Sequence, residues 1–197
     1  AGSQIRAVPP GIWPPGFGTR DLAPGIWPPG FAPRVVSGPP HCGTLDPDAT
    51  GLLILCIGKA TKLVDNFVGM DKVYTGVMRL GEATPSQDAA TPVETFSQWE
   101  HVTDAQLADA ARSFVGEITQ IPPMYSAIKV GGERLYKAAR RGEVVLRKER
   151  KVVVSSFTVE RDSGDAQFVK FKVECSKGTY IRTLAHDLGA ALGSAAH

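Results

Sequence analysis

The stretch Phe168-Val-Lys-Phe-Lys-Val-Glu-Cys175 alternates apolar and charged residues. Successive side chains of a β-strand point to opposite faces, so one face of this strand would be apolar and the other solvated. The preceding segment Lys151–Glu160 is rich in β-branched residues, and Asp162–Asp165, which contains a glycine, separates the two segments in the manner of a turn. The pattern predicts an antiparallel β-hairpin.

A helical pattern follows this hairpin, because four apolar residues recur there at helical spacing: Ile181, Leu184, Leu188 and Leu192. Between the hairpin and this helix lies Ser176–Arg182. If the chain is still extended there, Tyr180 and Arg182 lie on one face. An aromatic ring beside a fixed cation suits a planar ligand, although such a pair also occurs at strand edges that bind nothing.

The residues before the hairpin predict a mixture of strands and helices. Leu52–Ile57 and Lys72–Leu80 have the composition of strands, and a helix that ends near Gly69 is expected between them. Thr103 and Gln106 form a capping-box signature at the start of a further helix. We therefore predict an α+β domain over residues 41–197, with a largely antiparallel sheet flanked by helices.

Residues 1–40 differ in composition from the rest of the chain. They contain ten of the 15 prolines, and Pro-Gly-Ile-Trp-Pro-Pro-Gly-Phe occurs there twice. Proline lacks the backbone donor that helices and central strands require, and two copies of a motif are too few for a repeat fold. We interpret the segment as a disordered leader that the domain does not need in order to fold.

The overall composition is that of a globular protein outside the membrane. The chain of 197 residues is 43% hydrophobic, and it has no apolar run of the roughly 18 residues that a membrane span requires. Its three cysteines, Cys42, Cys56 and Cys175, fit neither a zinc site nor a disulfide framework, which indicates an intracellular, reducing compartment.

Positive charge is concentrated in the segment Lys129–Lys151. The segment carries nine basic and three acidic residues, whereas the whole chain has a net charge of only +2. Clustered cations attract phosphates, largely because binding releases counterions from the nucleic acid. The segment, including Lys129, Arg140 and Arg141, is therefore either an RNA-binding surface or a solvated charged face.

One carboxylate stands in a loop-like sequence, His41-Cys-Gly-Thr-Leu-Asp46, which is followed by Pro47. In isolation, an aspartate before a proline is most often a turn residue. Together with other motifs of the chain, however, this loop resembles the catalytic loop of the TruB-type tRNA pseudouridine synthases. Three further regions resemble that family in the same order: Lys72-Val-Tyr74 with Arg79-Leu-Gly81, Gln120-Ile-Pro-Pro-Met-Tyr-Ser-Ala-Ile-Lys129, and Ser176-Lys-Gly-Thr-Tyr-Ile-Arg182.

The resemblance covers residues 41–197 and implies a role for each matching position. Asp46 matches the catalytic aspartate, Tyr74 the tyrosine that stacks on the target uracil, and Arg182 the arginine that pairs with the aspartate. Four further residues match the substrate-binding surface: His41 near the space that the flipped nucleotide leaves, Tyr180 and Lys177 beside the pocket, and Lys129 in the RNA-gripping insertion. The implied substrate is the T-loop uridine of tRNA, position 55, and the implied enzyme is a monomer.

Isomerisation of uridine breaks the N1–C1′ bond and rejoins the base through carbon 5, which requires no metal and no cofactor. An ionised carboxylate can act as the nucleophile, and an arginine beside it favours the ionised form. The base must first leave its stack, and an aromatic platform offsets part of that cost.

The chain also departs from the family pattern. The proline-rich leader replaces an opening strand and a Lys-Pro-x-Gly motif, Pro40 stands where a glycine is usual, and family members continue beyond His197, often into a C-terminal RNA-binding domain. We therefore expect a catalytic domain that is incomplete at both ends. Gln98-Trp-Glu-His101 and Lys129-Val-Gly-Gly-Glu-Arg-Leu-Tyr136 look like plant organellar members, which points to a plastid or mitochondrion and leaves the cytoplasm and the nucleus as open alternatives.

Two alternatives remain open on the sequence alone. The first is an RNA-binding or tRNA-folding relative that has lost turnover. The second is an unrelated glycosidase, which would need a second catalytic carboxylate; Asp48 lies near Asp46, but no motif marks it.

Overall fold

The computed structural model describes residues 4–8, 41–46 and 49–197, which fall into two compact units, Ala1–Met70 and Asp71–His197. In the first unit, β1 (Gln4–Val8) pairs antiparallel with β2 (Leu53–Ile57), so the strand expected from the apolar run is confirmed. A 3-10 helix (Gly58–Leu63) and α1 (Val64–Gly69) follow. Among the described residues of the first unit, Cys42, Cys56 and Ala60 are buried together in a small core.

The strand β1 lies inside the segment that the sequence led us to expect as a disordered leader. β2 offers an edge with backbone groups available for pairing, and β1 takes that edge. The remainder of the leader lies outside the described residues, so its disorder stays a prediction.

The second unit contains a four-stranded antiparallel sheet with the order β3-β10-β9-β6. Its strands are β3 (Lys72–Arg79), β6 (Gly116–Gln120), β9 (Arg150–Arg161) and β10 (Phe168–Cys175). The hairpin predicted from the alternating stretch is β9–β10, with Val173 opposite Phe157 on one side and opposite Tyr74 on the other. Two short hairpins complete the strands: β4 (Glu82–Ala83) with β5 (Thr95–Phe96), and β7 (Lys129–Val130) with β8 (Glu133–Arg134).

Helices cover one face of this sheet. α2 (Asp104–Ser113) packs against β9 and against α4 (Ile181–Ala191), while α3 (Leu135–Arg140) follows β8. Thr103 caps α2 through the predicted reciprocal bonds with Gln106. The largest side chains of this core that are wholly buried come from sheet and helices alike: Met78, Leu80, Leu107, Val154, Val169, Val173, Leu184 and Leu188. The α+β class is thereby confirmed.

Two neighbouring strands of the sheet, β3 and β10, pack closely enough to restrict residue choice. Phe171 of β10 lies across Gly76 of β3, and a β-carbon at position 76 would come within 2.6 Å of the phenyl ring. The face of β3 that carries Gly76 also carries Tyr74 and Met78, because alternate residues share a face. Among the described residues no helix is both long and apolar enough to cross a membrane, and the longest, α4, has 11 residues.

Candidate active site

The segment that joins β10 to α4 brings Tyr180 and Arg182 to the start of a helix. Gly178 turns the chain with φ +81°, and Ser176 is tied to β9 by bonds to both backbone groups of Val153. Tyr180 is the N-cap of α4, with extended backbone angles, and the helix begins at Ile181. The chain is therefore not extended through Arg182, so the condition under which Tyr180 and Arg182 would share the face of a strand is not met, and the helix predicted from Ile181 is confirmed. The chain turns directly after Cys175, and the apolar residues that follow are buried as a helix.

The guanidinium of Arg182 is fixed by groups from two other segments. One Nη donates to the carbonyl oxygen of Ser86 at 2.8 Å, and the other donates to that of Tyr125 at 3.0 Å. The carboxylate of Asp88 lies 3.5 Å away, and the arginine side chain is only 16% exposed. A guanidinium held from several sides keeps one orientation, which is a requirement for aiming it at a carboxylate or a phosphate.

The loop of residues 84–91, in which Ser86 accepts a hydrogen bond from Arg182, is held by several hydrogen bonds of its own. The buried Ser86 hydroxyl lies 2.5 Å from a carboxylate oxygen of Asp88 and 2.7 Å from the hydroxyl of Thr91. Gln87 has φ +61°, a conformation that is costly for a residue with a side chain, and it accepts a 2.9 Å hydrogen bond from Thr183 of α4. Backbone strain that is held in place by such bonds is typical of functional loops.

Tyr180 is held on its main chain and on its ring. Gln120, at the end of β6, bonds to both backbone groups of Tyr180, at 3.0 and 3.2 Å. The guanidinium of Arg150 lies 5.4 Å from the centre of the Tyr180 ring. The cation over this tyrosine is thus Arg150, from β9, which leaves the opposite face of the ring as the candidate surface for a base.

Tyr74 lies in the middle of β3, directly opposite Val173 of β10. It is half-buried and packs against the main core. An aromatic ring set into a rigid strand and only partly covered is suited to act as a stacking platform, because few degrees of freedom are lost when a base lies on it.

His41 and Asp46 lie in the first unit, on a loop attached to β2. His41 forms an isolated bridge with Leu55, and the backbone N–H of Cys42 donates to Ile54 at 2.9 Å. The Nδ1 atom of His41 contacts the carbonyl oxygen of Gly43. The backbone carbonyl of Asp46 accepts from Ala49 at 3.0 Å, and the aspartate is exposed.

The site residues predicted from the sequence are thus divided between the units. Tyr74, Tyr180 and Arg182 belong to the second unit, and the pairing of Asp46 with Arg182 stays a prediction. Asp48, the second carboxylate that a glycosidase would need, lies outside the described residues. Within residues 4–8, 41–46 and 49–197, no three His, Cys, Asp or Glu side chains are grouped so that they could hold a metal ion.

The basic segment forms the hairpin β7–β8, helix α3, the chain without regular secondary structure that follows, and the first residues of β9. Lys129, Arg134 and Lys137 line an open cavity of about 440 Å³ together with Gly132, Glu133 and Tyr136. Arg140 lies over the ring of Tyr136, at 5.4 Å from its centre.

Arg141 has a different environment from the other cations of this segment. Two of its nitrogens donate to Glu133 at 2.8 Å each, and it also bonds to Glu143 at 2.7 Å. These hydrogen bonds hold the pKa of both glutamate carboxyls below the ordinary value. The positive charge of Arg141 is therefore largely balanced within the protein. The excess positive charge of this surface lies on the exposed cations near Arg141 and on Lys177.

The sequence did not reveal the residues that hold Arg182 and Tyr180 in place. Ser86, Gln87 and Asp88 are about a hundred residues from Arg182 in sequence, and no local periodicity links them. Gln120 could have been found, because it opens a motif that the sequence marked, although nothing indicated which groups its amide would contact.

Comparison with known proteins places this architecture in a family. Residues 39–181 match the family described as TruB family pseudouridylate synthase (N terminal domain). The chain therefore belongs to the TruB family of pseudouridylate synthases.

Particular relatives are named tRNA pseudouridine synthase B. The chain is 46% identical over 157 residues to that of Parabacteroides distasonis, 46% over 161 residues to that of Streptococcus thermophilus and 50% over 157 residues to that of Opitutus terrae. Each match covers 80% of this chain, but only 66%, 55% and 64% of the respective relative. These relatives give no indication of a plant organellar origin.

Solved structures show the same fold. One is titled as a crystal structure of a Cbf5-Nop10-Gar1 complex; its similar chain is 30% identical with a TM-score of 0.57, over 80% of this chain and 36% of that chain. Another is titled as an H/ACA RNP bound to a substrate RNA containing 2'-deoxyuridine, at 25% identity and a TM-score of 0.53, over 82% of this chain and 36% of that chain.

Proposed function

We propose that this protein isomerises uridine to pseudouridine in the T-loop of tRNA, at position 55. Relatives named tRNA pseudouridine synthase B, at 46–50% identity, support the reaction and favour it over an RNA-binding protein without turnover. The observation that carries the proposal within this chain is the guanidinium of Arg182, fixed by two carbonyl oxygens and by Asp88. That arginine stands in the segment that resembles the family's arginine motif.

In the proposed reaction, Asp46 acts as an ionised carboxylate toward the target nucleotide. The N1–C1′ bond breaks, the base turns, and carbon 5 bonds to C1′. Carbon 5 then loses its proton and N1 gains one, so atoms and charge balance without a redox step. The carboxylate must be ionised to act as a nucleophile, and Asp46 is exposed, so a substrate can reach it.

Arg182 is proposed to pair with Asp46, as the family resemblance implies. A planar guanidinium that already has a fixed orientation loses little entropy when it engages a carboxylate. It would keep the aspartate ionised and aim it at the sugar or the base.

Tyr74 and Tyr180 are proposed to receive the base after it leaves the RNA stack. Both side chains are half-buried on rigid elements, one in a strand and one at the start of a helix. Stacking on such rings is worth about 1–3 kcal/mol per base, comparable with the cost of unstacking.

The exposed cations of the basic segment are proposed to bind tRNA phosphates. Lys129, Arg134 and Lys137 line one cavity, and Arg140 stands on the same helix as Lys137. We further propose that the protein acts as a monomer on the T-stem-loop, in a reducing compartment that keeps Cys42, Cys56 and Cys175 as thiols, as they are in the structure.

The test uses two tRNA transcripts that carry tritium at carbon 5 of every uridine. One has the natural T-loop, and in the other the T-loop uridine at position 55 is replaced by cytidine. We expect the first to release one equivalent of tritium and the second to release none. Equal release from both would refute the T-loop assignment, and no release from either would refute the proposed activity.

A further inference from the structure

The side-chain amide of Gln120 forms hydrogen bonds with both main-chain groups of Tyr180. Gln120 is the last residue of β6 and is 1% exposed. Its Oε1 accepts from the backbone N–H of Tyr180 at 3.0 Å, and its Nε2 donates to the backbone carbonyl of the same residue at 3.2 Å. This contact spans 60 residues of sequence and reproduces the two-point pairing of neighbouring strands.

The contact falls where the chain changes from a loop to a helix. Tyr180 is the N-cap of α4, and its side chain makes no capping bond. Its carbonyl oxygen also accepts the hydrogen bond from Leu184, in the first turn of the helix. Gln120 therefore fixes the residue from which α4 starts, and Arg182 is the second residue of that helix.

A second group from the same part of the sheet fixes the ring of Tyr180. Arg150 is directly opposite Gln120 in the β6–β9 ladder, and its guanidinium lies 5.4 Å from the centre of the ring. The main chain of Tyr180 is held by one residue of this cross-strand pair and its ring by the other. The position of Tyr180 is thereby set by the rigid sheet and not by the loop that precedes it.

We propose that Gln120 is a positioning residue for the reaction: it places Tyr180 and, through the first turn of α4, the guanidinium of Arg182. The inference rests on the proposed function, because the two residues that Gln120 places are those proposed to meet the base and Asp46. Without the amide, the backbone N–H of Tyr180 loses its acceptor, and the backbone carbonyl keeps only the helical bond from Leu184. A displacement of about 1 Å at the reacting groups is enough to lower turnover by about 10²-fold.

The variant Gln120→Met tests this, because methionine has nearly the same length and volume but neither the donor nor the acceptor. Gln167→Met is the matched control. The Gln167 amide also donates to a backbone carbonyl, that of Leu80 at 2.7 Å, but at a different part of the second unit. Should Gln120→Met fail to fold, Gln120→Asn keeps the amide on a shorter side chain that cannot hold both contacts, and it serves instead.

Two measurements are made on each protein. The chain has four tyrosines, so 3-fluorotyrosine labelling gives four fluorine NMR signals, and Tyr180→Phe identifies the one from Tyr180. We expect Gln120→Met to shift that signal alone and to lower kcat for tritium release by about 10-fold or more, with KM for tRNA within about 3-fold. Gln167→Met should leave the Tyr180 signal and kcat as in the wild type.

The outcomes separate this inference from the function on which it rests. An unshifted Tyr180 signal, or an unchanged kcat, in a folded Gln120 variant would overturn the positioning role, even if thermal stability fell. If the wild type releases no tritium, the proposed function fails. In that case a shifted Tyr180 signal would still support the placement of the residue, and an unshifted one would refute it.

Discussion

The substitution Arg182→Met removes the guanidinium that bonds to two backbone carbonyls and lies beside Asp88 in the candidate active site. It leaves the carbonyl oxygens of Ser86 and Tyr125 without their 2.8 and 3.0 Å donors, and it leaves Asp88 without a cation 3.5 Å away. A hydrogen bond to a charged group contributes about 1.5–3 kcal/mol. Two such bonds, partly screened because the arginine is 16% exposed, give an expected loss of about 3–4 kcal/mol in the free energy of unfolding.

Urea unfolding followed by circular dichroism measures this loss. With an m-value of about 2 kcal/mol per molar urea, the midpoint should fall by about 1.5–2 M. Arg182→Lys should recover about half of the loss, because a single ammonium cannot serve two separate carbonyls as a planar guanidinium does. Activity should fall far more than tRNA affinity in both variants, and lysine should restore it poorly.

Arg112→Met is the control, because this arginine of α2 is 70% exposed and, within the described part of the chain, pairs only with Asp109 at the helix surface. It should change stability by less than about 0.5 kcal/mol. A free energy of unfolding of Arg182→Met within about 1 kcal/mol of the wild-type value would show that the bonds to the two carbonyls contribute little to stability. Wild-type activity of Arg182→Lys would contradict the need for a planar guanidinium at this position.

Three further predictions follow from single contacts. Thr103→Ala removes the capping box of α2 and should lower the free energy of unfolding by about 1 kcal/mol in urea titrations. Burial raises the pKa of Asp187, so this carboxyl binds its proton more tightly in the folded chain than in the unfolded chain, and the protein loses stability as pH rises through that pKa. Asp187→Asn should therefore raise the free energy of unfolding at pH 7 but not at pH 3. Equal effects at the two pH values would contradict this prediction. Arg140→Ala should flatten the log–log dependence of tRNA affinity on salt by about one unit, whereas Arg141→Ala, whose charge two glutamates already balance, should flatten it less.

The elements that could be predicted from sequence are those with local signals. The alternation in Phe168–Cys175 predicted β10, an inner strand of the sheet, and its hairpin with β9. A strand with one buried face alternates apolar and polar residues, because successive side chains point to opposite faces. Thr103 and Gln106 marked the start of α2 to the residue, because a capping box involves only four consecutive positions.

The connections around Arg182 could not be predicted, because they depend on tertiary structure. The apolar pattern that begins at Ile181 predicted the helix that contains Arg182, but it carried no information on the groups that the guanidinium contacts. The positive φ of Gln87 has no sequence signal, because residues other than glycine and asparagine rarely adopt it and are held there only by their surroundings. The resemblance in the motifs supplied the roles of these residues, but not the contacts that hold them.

If the carboxylate of Asp46 performs the isomerisation, its removal must abolish the release of tritium from carbon 5 of the target uridine. The wild-type chain and Asp46→Asn are incubated with tRNA tritiated at carbon 5 of uridine, with Asp65→Asn, an exposed carboxylate of the same unit, as the control. We predict release by the wild type and by Asp65→Asn. We predict release at the background rate by Asp46→Asn, with tRNA affinity within a few fold of the wild type. Substantial release by Asp46→Asn would show that a group other than the Asp46 carboxylate performs the isomerisation.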